Sequence, residues 1–356
     1  MTVAVQSFAK INLGLYIGRA RADGFHDLRT VYQTITLHDV IRVTVGRGHG
    51  IEILCDDPRV PVDSSNTCYR MAERIMDEFE ADGKVTVQIE KRLPVQGGLG
   101  AASSNAVATM MGLERALKKP LAGATRLRIA AEVGSDLPLF LVGGMVLGVG
   151  RGEEVYPLPD SAATPTVVVM PELGVSTPRA FAEWDALTEQ NQAAEFCSAG
   201  QPRSAVPTQG WTGEDARPHT SSVRLTHRGA SDRLVEVGRV LSAWLSGSPN
   251  TGAPAKGGSR AGSLLLDLVR TGIENDFEKV VFPQYPELRD IKRALERAGA
   301  RYASLSGSGS ALYGLFRTRA EAVKAEARLR QQGLKAVATS TLTRHEFRRK
   351  SLVASR

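Results

Sequence analysis

Apolar and polar residues alternate along Val85-Thr86-Val87-Gln88-Ile89-Glu90, the period-two signature of a strand. Ala106, Met110, Leu113 and Leu117 then recur at helical spacing, and Lys118-Lys119-Pro120 supplies a basic last turn and a stop. Around this pair the pattern predicts two short strands within Val3 to Ile17, flanking Ser7 to Asn12. Two more follow, Tyr32 to Leu37 and Val40 to Val45, with His38-Asp39 between them. Ser65-Asn66 caps a helix to about Ala81, and another runs from about Ala124 to Val133, where Gly134 stops it. Thr166 to Met170 reads as a buried strand, and Ser176-Thr177-Pro178 opens a helix. From about Thr188 to Gly262 apolar spacing is poor except over Arg233 to Leu245, which predicts a long loop or partly disordered insertion. Order resumes at Leu264, with helices from Glu274-Asn275-Asp276 and over Glu287 to Ala298. Strands Tyr302 to Leu305 and Ala311 to Phe316, a helix Ala320 to Gln331 and a strand Ala336 to Thr341 complete it. That β-α-β-β-α-β order predicts a split βαβ sandwich.

Composition narrows the picture without changing it. The apolar fraction of 42% over 356 residues is that of a globular protein large enough for two domains. No stretch approaches the roughly 20 apolar residues of a membrane span, so no membrane role is expected. The start shows no basic region followed by an apolar core, and three scattered cysteines make neither a disulfide framework nor a metal site. A reducing cytoplasm is the expected compartment. The net charge of +7 is concentrated from Arg317 onward, where eleven Lys/Arg face three Asp/Glu. A surplus confined to one terminal helix and tail reads as a solvated face rather than a nucleic-acid surface. No nucleic-acid partner is expected, and a monomer or homodimer fits equally well.

Candidate chemistry centres on Pro94-Val95-Gln96-Gly97-Gly98-Leu99-Gly100-Ala101-Ala102-Ser103-Ser104-Asn105, which joins the strand to the helix. Small residues let the backbone approach a ligand, and the free N–H groups and dipole of a helix start attract phosphate. The loop is neither a Walker loop nor a dinucleotide fingerprint, since both spacings are absent. Taken alone it also suits ordinary capping and close packing. Lys10 and Asn12, two apart on an extended segment, point the same way. Lys10 is read either as an edge charge or as a catalyst. Asp23-Gly24-Phe25-His26 sets an aromatic ring and an imidazole in one turn, and Ser135-Asp136-Leu137-Pro138 holds a carboxylate between a helix end and an apolar turn. Ser306-Gly307-Ser308-Gly309-Ser310 is a tight turn or a second glycine-rich lip facing the first.

Ala9-Lys10-Ile11-Asn12, the Pro94 to Asn105 loop and Leu305 to Ser310 stand in the order of the GHMP small-molecule kinases, which the chain resembles over about residues 5–182 and 264–341. The 21–26 turn and Gly134 to Phe140 make it most similar to the branch acting on cytidine-diphospho-methylerythritol. The resemblance implies an α+β, two-domain fold. Residues 1–160 would form an S5-domain-2-like ATP-binding domain. Residues 161–341 would form a ferredoxin-like substrate domain carrying the 188–262 insertion, and 342–356 a basic tail. Asp136 would take the proton from a substrate hydroxyl, with Lys10 orienting it and stabilising charge. The loop residues Pro94 and Gln96 to Asn105 would hold ATP phosphates, with adenine near Asn66 and Mg²⁺ accompanying the nucleotide. Phe25 and Phe181 would stack on the two faces of cytosine, and His26 would bond its edge. Asn12, Thr177, Gly307 and Ser308 would complete the substrate site. The family loop usually reads P-x-G-x-G-L-G-G-G-S-S-N, so Gln96, Ala101 and Ala102 depart from it, and Phe25 stands where tyrosine is common. If position 96 needs a positive φ, glutamine strains the turn. A GHMP kinase on another alcohol (homoserine, mevalonate or a sugar) and a non-catalytic sensor on the same fold are the competing readings.

Overall fold

Two long antiparallel strands, β1 (Thr2–Ala20) and β2 (His26–Gly46), form the spine of the molecule. A computed structural model describes residues 2–199, 238, 265, 269 and 272–351. The expected breaks at Ser7 to Asn12 and at His38-Asp39 are absent, because register shifts between Phe8 and Lys10 and between Asn12 and Gly14 absorb them. Ser7 to Leu15 is buried without interruption, so this stretch of β1 is covered on both faces and its polar residues must be satisfied internally.

Next come β3 (Gly50–Cys55), α1 (Thr67–Glu78), β4 (Lys84–Glu90), α2 (Ala101–Ala116), α3 (Gly123–Val133), α4 (Leu137–Val142), β5 (Met145–Val149) and β6 (Glu154–Pro157). The sheet order is β3-β4-β2-β5-β6 with β1 also paired to β2, and β3 and β4 are parallel. Val43, Ile75, Val87, Met110 and Leu113 join sheet and helices in one core.

The second half is β7 (Pro165–Val169), α5 (Thr177–Ala199), α6 (Glu278–Gln284), α7 (Pro286–Arg297), β8 (Tyr302–Leu305), β9 (Leu312–Leu315), α8 (Arg319–Gln331), β10 (Ala336–Ser340) and α9 (Arg344–Ser351). Its strands run β10-β7-β9-β8, all antiparallel, in the expected split βαβ arrangement. Regular structure does not end at 188, since α5 continues to Ala199. Apart from Gly238, residues 200–262, including Arg233 to Leu245, lie outside the described residues. Within the expected tail, residues 342–351 are not simply solvated either. Helix α9 buries Phe347 to 5% exposure in the first core.

The two halves share a third cluster in which Ile11, Leu13 and Leu99 meet Val168, Ala311 and Tyr313. Leu15 and Ile17 of β1 pack into the second core outright. The chain therefore fuses its halves along β1, and the cavity described next opens along that seam.

Candidate functional site

Lys10 is 3% exposed, and two hydrogen bonds and one ion pair hold its ammonium. Nζ donates to Asn12 Oδ1 at 2.7 Å and to the Gly98 carbonyl at 2.9 Å, and lies 3.6 Å from Asp136 Oδ2. The Asn12 amide is oriented in turn by Thr30, which accepts from Nδ2 at 2.7 Å and donates to the Gly14 carbonyl at 2.9 Å. Burial lowers the Lys10 pKa from its ordinary value, and the Asp136 carboxylate opposes that shift. Asp136 sits at the start of α4, and its side chain is 35% exposed, so one face meets solvent.

The 94–105 loop curls over this pair. Gly98 and Gly100 take φ of +77° and +69°. A Cβ on Gly98 would stand 2.0 Å from the Ser306 carbonyl, and one on Gly100 would stand 2.9 Å from Phe140. Gln96 adopts φ +58°, so this departure from the family pattern does place glutamine in a left-handed conformation, at a cost of about 1–2 kcal/mol. Ala101 and Ala102 are helical, as alanine permits. The lip from Ser306 to Ser310 faces the first, because the Ser306 hydroxyl donates to the Gly98 carbonyl at 2.9 Å and Ala311 N donates to the Gly97 carbonyl at 3.0 Å. Gly307 lies against the charged pair, where an added Cβ would stand 3.4 Å from Lys10 Nζ.

Together these residues line a cavity of about 910 Å³. Pro94, Gln96, Gly97, Leu99, Ala101, Ala102 and Ser103 line it. Asn105 lines it too whereas Ser104 does not, and both side chains are buried. The Ser7 hydroxyl donates to Asn105 Oδ1 at 2.6 Å and sits 2.8 Å from Ser104 Oγ. These two residues hold the loop from beneath. Asn66 is at the cavity wall, but its side chain caps α1 by accepting from Cys68 N at 2.8 Å and donates to the Pro61 carbonyl. Cys68 also lines the wall, where burial pushes its thiol up to about 12, so it remains an un-ionised thiol.

At the opposite end Thr177 Oγ1 and Ser308 Oγ are 2.7 Å apart, tying α5 to the second lip. The aromatic arrangement differs from the expected sandwich. His26, 7% exposed, stacks on Phe181 with ring centroids 4.8 Å apart and an interplanar angle of 14°. Phe277 meets Phe181 edge-on at 5.0 Å. Phe25 is 48% exposed, with the Arg151 guanidinium 4.9 Å above its ring. One face of Phe181 is therefore covered by imidazole rather than left open to pair with Phe25.

Three residues that the sequence reading passed over organise the site. Tyr32 donates its hydroxyl to Asp136 Oδ1 at 2.9 Å from beneath, and its ring lies 5.6 Å from the Lys10 ammonium. Asp39, fully buried, accepts from Arg92 N and Leu93 N on one oxygen and from Lys91 Nζ and Asn105 Nδ2 on the other. Asp185 accepts from His26 Nε2 at 2.7 Å. Tyr32 looked like one more apolar position of a strand. For Asp39 a signal existed, a carboxylate inside a strand run of apolar residues.

Residues 66–144 match the GHMP kinases N terminal domain and residues 259–335 match GHMP kinases C terminal. The chain is 35% identical to the 4-diphosphocytidyl-2-C-methyl-D-erythritol kinase of Solibacter usitatus over 316 residues, 88% of this chain and 81% of that protein. It is 32% identical to the protein of the same name from Acaryochloris marina, covering 88% and 87%. A crystal structure of 4-(cytidine 5'-diphospho)-2C-methyl-D-erythritol kinase superposes with TM-score 0.63 at 24% identity, over 95% of this chain and 98% of that one. Homoserine kinase from Cytophaga hutchinsonii superposes as well, with TM-score 0.64 at 18% identity over 96% and 95%. Backbone likeness is thus common to kinases of different alcohols, and the sequence relatives separate the branches. The chain belongs to the 4-diphosphocytidyl-2-C-methyl-D-erythritol kinase family of the GHMP kinases.

Proposed function

We propose that the protein transfers the γ-phosphoryl group of ATP to the C2 hydroxyl of 4-diphosphocytidyl-2-C-methyl-D-erythritol, a step that supplies isoprenoid precursors. The observation that carries this reading is the Lys10–Asp136 pair, 3.6 Å apart at the point where both glycine-rich lips meet. A tertiary alcohol seated there gives its proton to Asp136 Oδ2 as its oxygen attacks the γ-phosphorus. The bond to the bridging oxygen breaks and ADP leaves. Lys10 holds the carboxylate and the nucleophilic oxygen together and offsets the negative charge that develops, a role that costs no reorganisation because its partners already fix it. The 96–103 backbone is suited to the triphosphate, so most of the catalysis is positioning and electrostatics. Mg²⁺ would accompany the nucleotide and would offset negative charge on its phosphates. Among the described residues no three His, Cys, Asp or Glu side chains gather to hold an ion.

The cluster of Phe25, His26 and Phe181 favours a cytidylylated substrate over homoserine or mevalonate, which carry no aromatic base to stack or bond. An ATP-consumption assay with cytidine-diphospho-methylerythritol, homoserine, mevalonate and galactose tests the assignment, with turnover expected on the first alone. Asp136→Ala should abolish that turnover while ATP still binds, a loss of several kcal/mol in transition-state stabilisation. Near wild-type turnover in this variant would remove Asp136 as the base, and preference for another alcohol would overturn the substrate.

A further inference from the structure

At the substrate end of the cavity, His26 and Asp185 make a contact that phosphoryl transfer does not require. His26 is the first residue of β2 and Asp185 lies on α5, so the contact joins the two halves of the molecule. A carboxylate only accepts, so His26 Nε2, 2.7 Å from Asp185 Oδ1, carries the hydrogen. In the neutral imidazole this leaves Nδ1 as a bare acceptor. Nδ1 has no hydrogen-bond partner among the described residues. It is not one of the sealed polar atoms that lack a partner, so it meets the open space of the cavity that His26 lines. Stacking on Phe181, itself braced edge-on by Phe277, fixes the plane of the ring. Asp185 fixes its rotation within that plane.

We infer that Asp185 is a specificity-determining positioning residue: by keeping the imidazole proton on Nε2 it presents Nδ1 as an acceptor for the exocyclic amine of cytosine and turns away uracil. The inference rests on the reading above that the substrate carries a cytidine. A base bonded edge to edge with Nδ1 lies in the imidazole plane and hence nearly parallel to Phe181. Cytosine presents an N–H donor at its 4-position, whereas uracil presents a carbonyl oxygen. Two acceptors would then face each other with no proton between them, and a pocket built for a hydrogen bond rejects a ligand that leaves it unmade. An asparagine at 185 offers Nε2 either an amide oxygen or an amide N–H. It thereby releases the tautomer and lets Nδ1–H meet a 4-carbonyl.

The test compares kcat and KM for the cytidyl substrate and its uridyl counterpart in wild type, Asp185→Asn, Asp185→Ala and Asp185→Glu, with thermal melts to verify folding. Wild type is expected to prefer the cytidyl ester by ~100-fold or more in kcat/KM. Asp185→Asn should cut that preference by ~10-fold, through a higher KM for the cytidyl ester and a lower one for the uridyl ester, with KM for ATP unmoved. Asp185→Glu, which keeps a carboxylate, should retain most of the preference. An unchanged ratio in folded Asp185→Asn and Asp185→Ala overturns the inference, as does a wild type that uses both esters equally. A wild type that turns over neither ester overturns the substrate assignment itself, and the His26–Asp185 role with it.

Discussion

Tyr32 shows how one hydroxyl can decide which oxygen of a carboxylate does the work. It donates to Asp136 Oδ1, leaving Oδ2 for Lys10 and the incoming alcohol. Burial, reinforced by Asp136, raises its pKa well above the usual phenol value, so it stays a donor across the working range. Tyr32→Phe should therefore lower kcat by ~10-fold with KM for both substrates nearly constant, since a misoriented base loses part of the usual general-base contribution. Steady-state kinetics check this, and an unchanged kcat would separate Tyr32 from the reaction. Lys10 titrates in the opposite sense. Its folded pKa lies below the 10.5 of an ordinary lysine because burial disfavours the ammonium, so the proton leaves earlier as pH rises. The alkaline limb of kcat/KM should accordingly fall below pH 10.5. In Lys10→Arg, whose guanidinium stays charged, residual activity should lack that limb. If the limb persists unmoved, another group produces it. Lys10 and Asp136 were readable in the sequence because short motifs carry them, whereas Tyr32 and Asp185 become visible only when distant segments meet.

The 91–105 loop and the helix it opens are held at both ends by one buried carboxylate. Asp39 Oδ1 takes the backbone N–H groups of Arg92 and Leu93 at 2.7 and 2.8 Å. Oδ2 takes Lys91 Nζ at 2.8 Å and Asn105 Nδ2 at 3.0 Å. Asp39→Asn keeps the shape but turns an amide donor toward two other donors, so stability should drop by about 3 kcal/mol and ATP affinity by ~10-fold as the loop loosens. Chemical denaturation and nucleotide titration measure the two effects. A variant as stable as wild type would show that the loop is held by other contacts. This carboxylate also explains what the hydrophobic pattern hid. Ser7, Lys10, Asn12 and Asp39 interrupt the alternation of β1 and β2, and so suggest strand ends. Their polar atoms instead bond one another or the loop, and the ladder runs through. Where alternation or helical spacing is clean, as in β4, α2, β8 and α8, the expected elements agree with those observed to within a few residues. The end of α5 is hidden in the sequence because Thr188 to Ala199 is rich in Gln, Ala and Glu and shows no apolar stripe.

At the scale of the whole molecule the chain crosses back on itself, and its basic C-terminal end closes the N-terminal half. Leu342 N donates to the Thr34 carbonyl, and Arg344 Nη2 reaches the carbonyls of Met145 and Leu158, each at 3.0 Å. Phe347 then packs 5.7 Å from Phe8, centroid to centroid, and fills the space over Gly143, where an added Cβ would come within 2.2 Å of its ring. Part of the charge surplus therefore belongs to a helix with one buried apolar anchor and an outer basic face, since α9 carries four Lys/Arg against one Glu. Gly143 ends the six-residue α4 that Asp136 begins, so the far end of the element carrying the base rests on this anchor. Phe347→Ala opens a cavity in the first core and should cost about 3 kcal/mol, lowering Tm by about 6–12 °C. Because α4 can then shift into the space, kcat should fall more than KM for either substrate rises. A melting temperature within 1–2 °C of wild type would show α9 to be a detachable appendage, and a lowered Tm with unaltered kcat would show that α4 holds Asp136 without it.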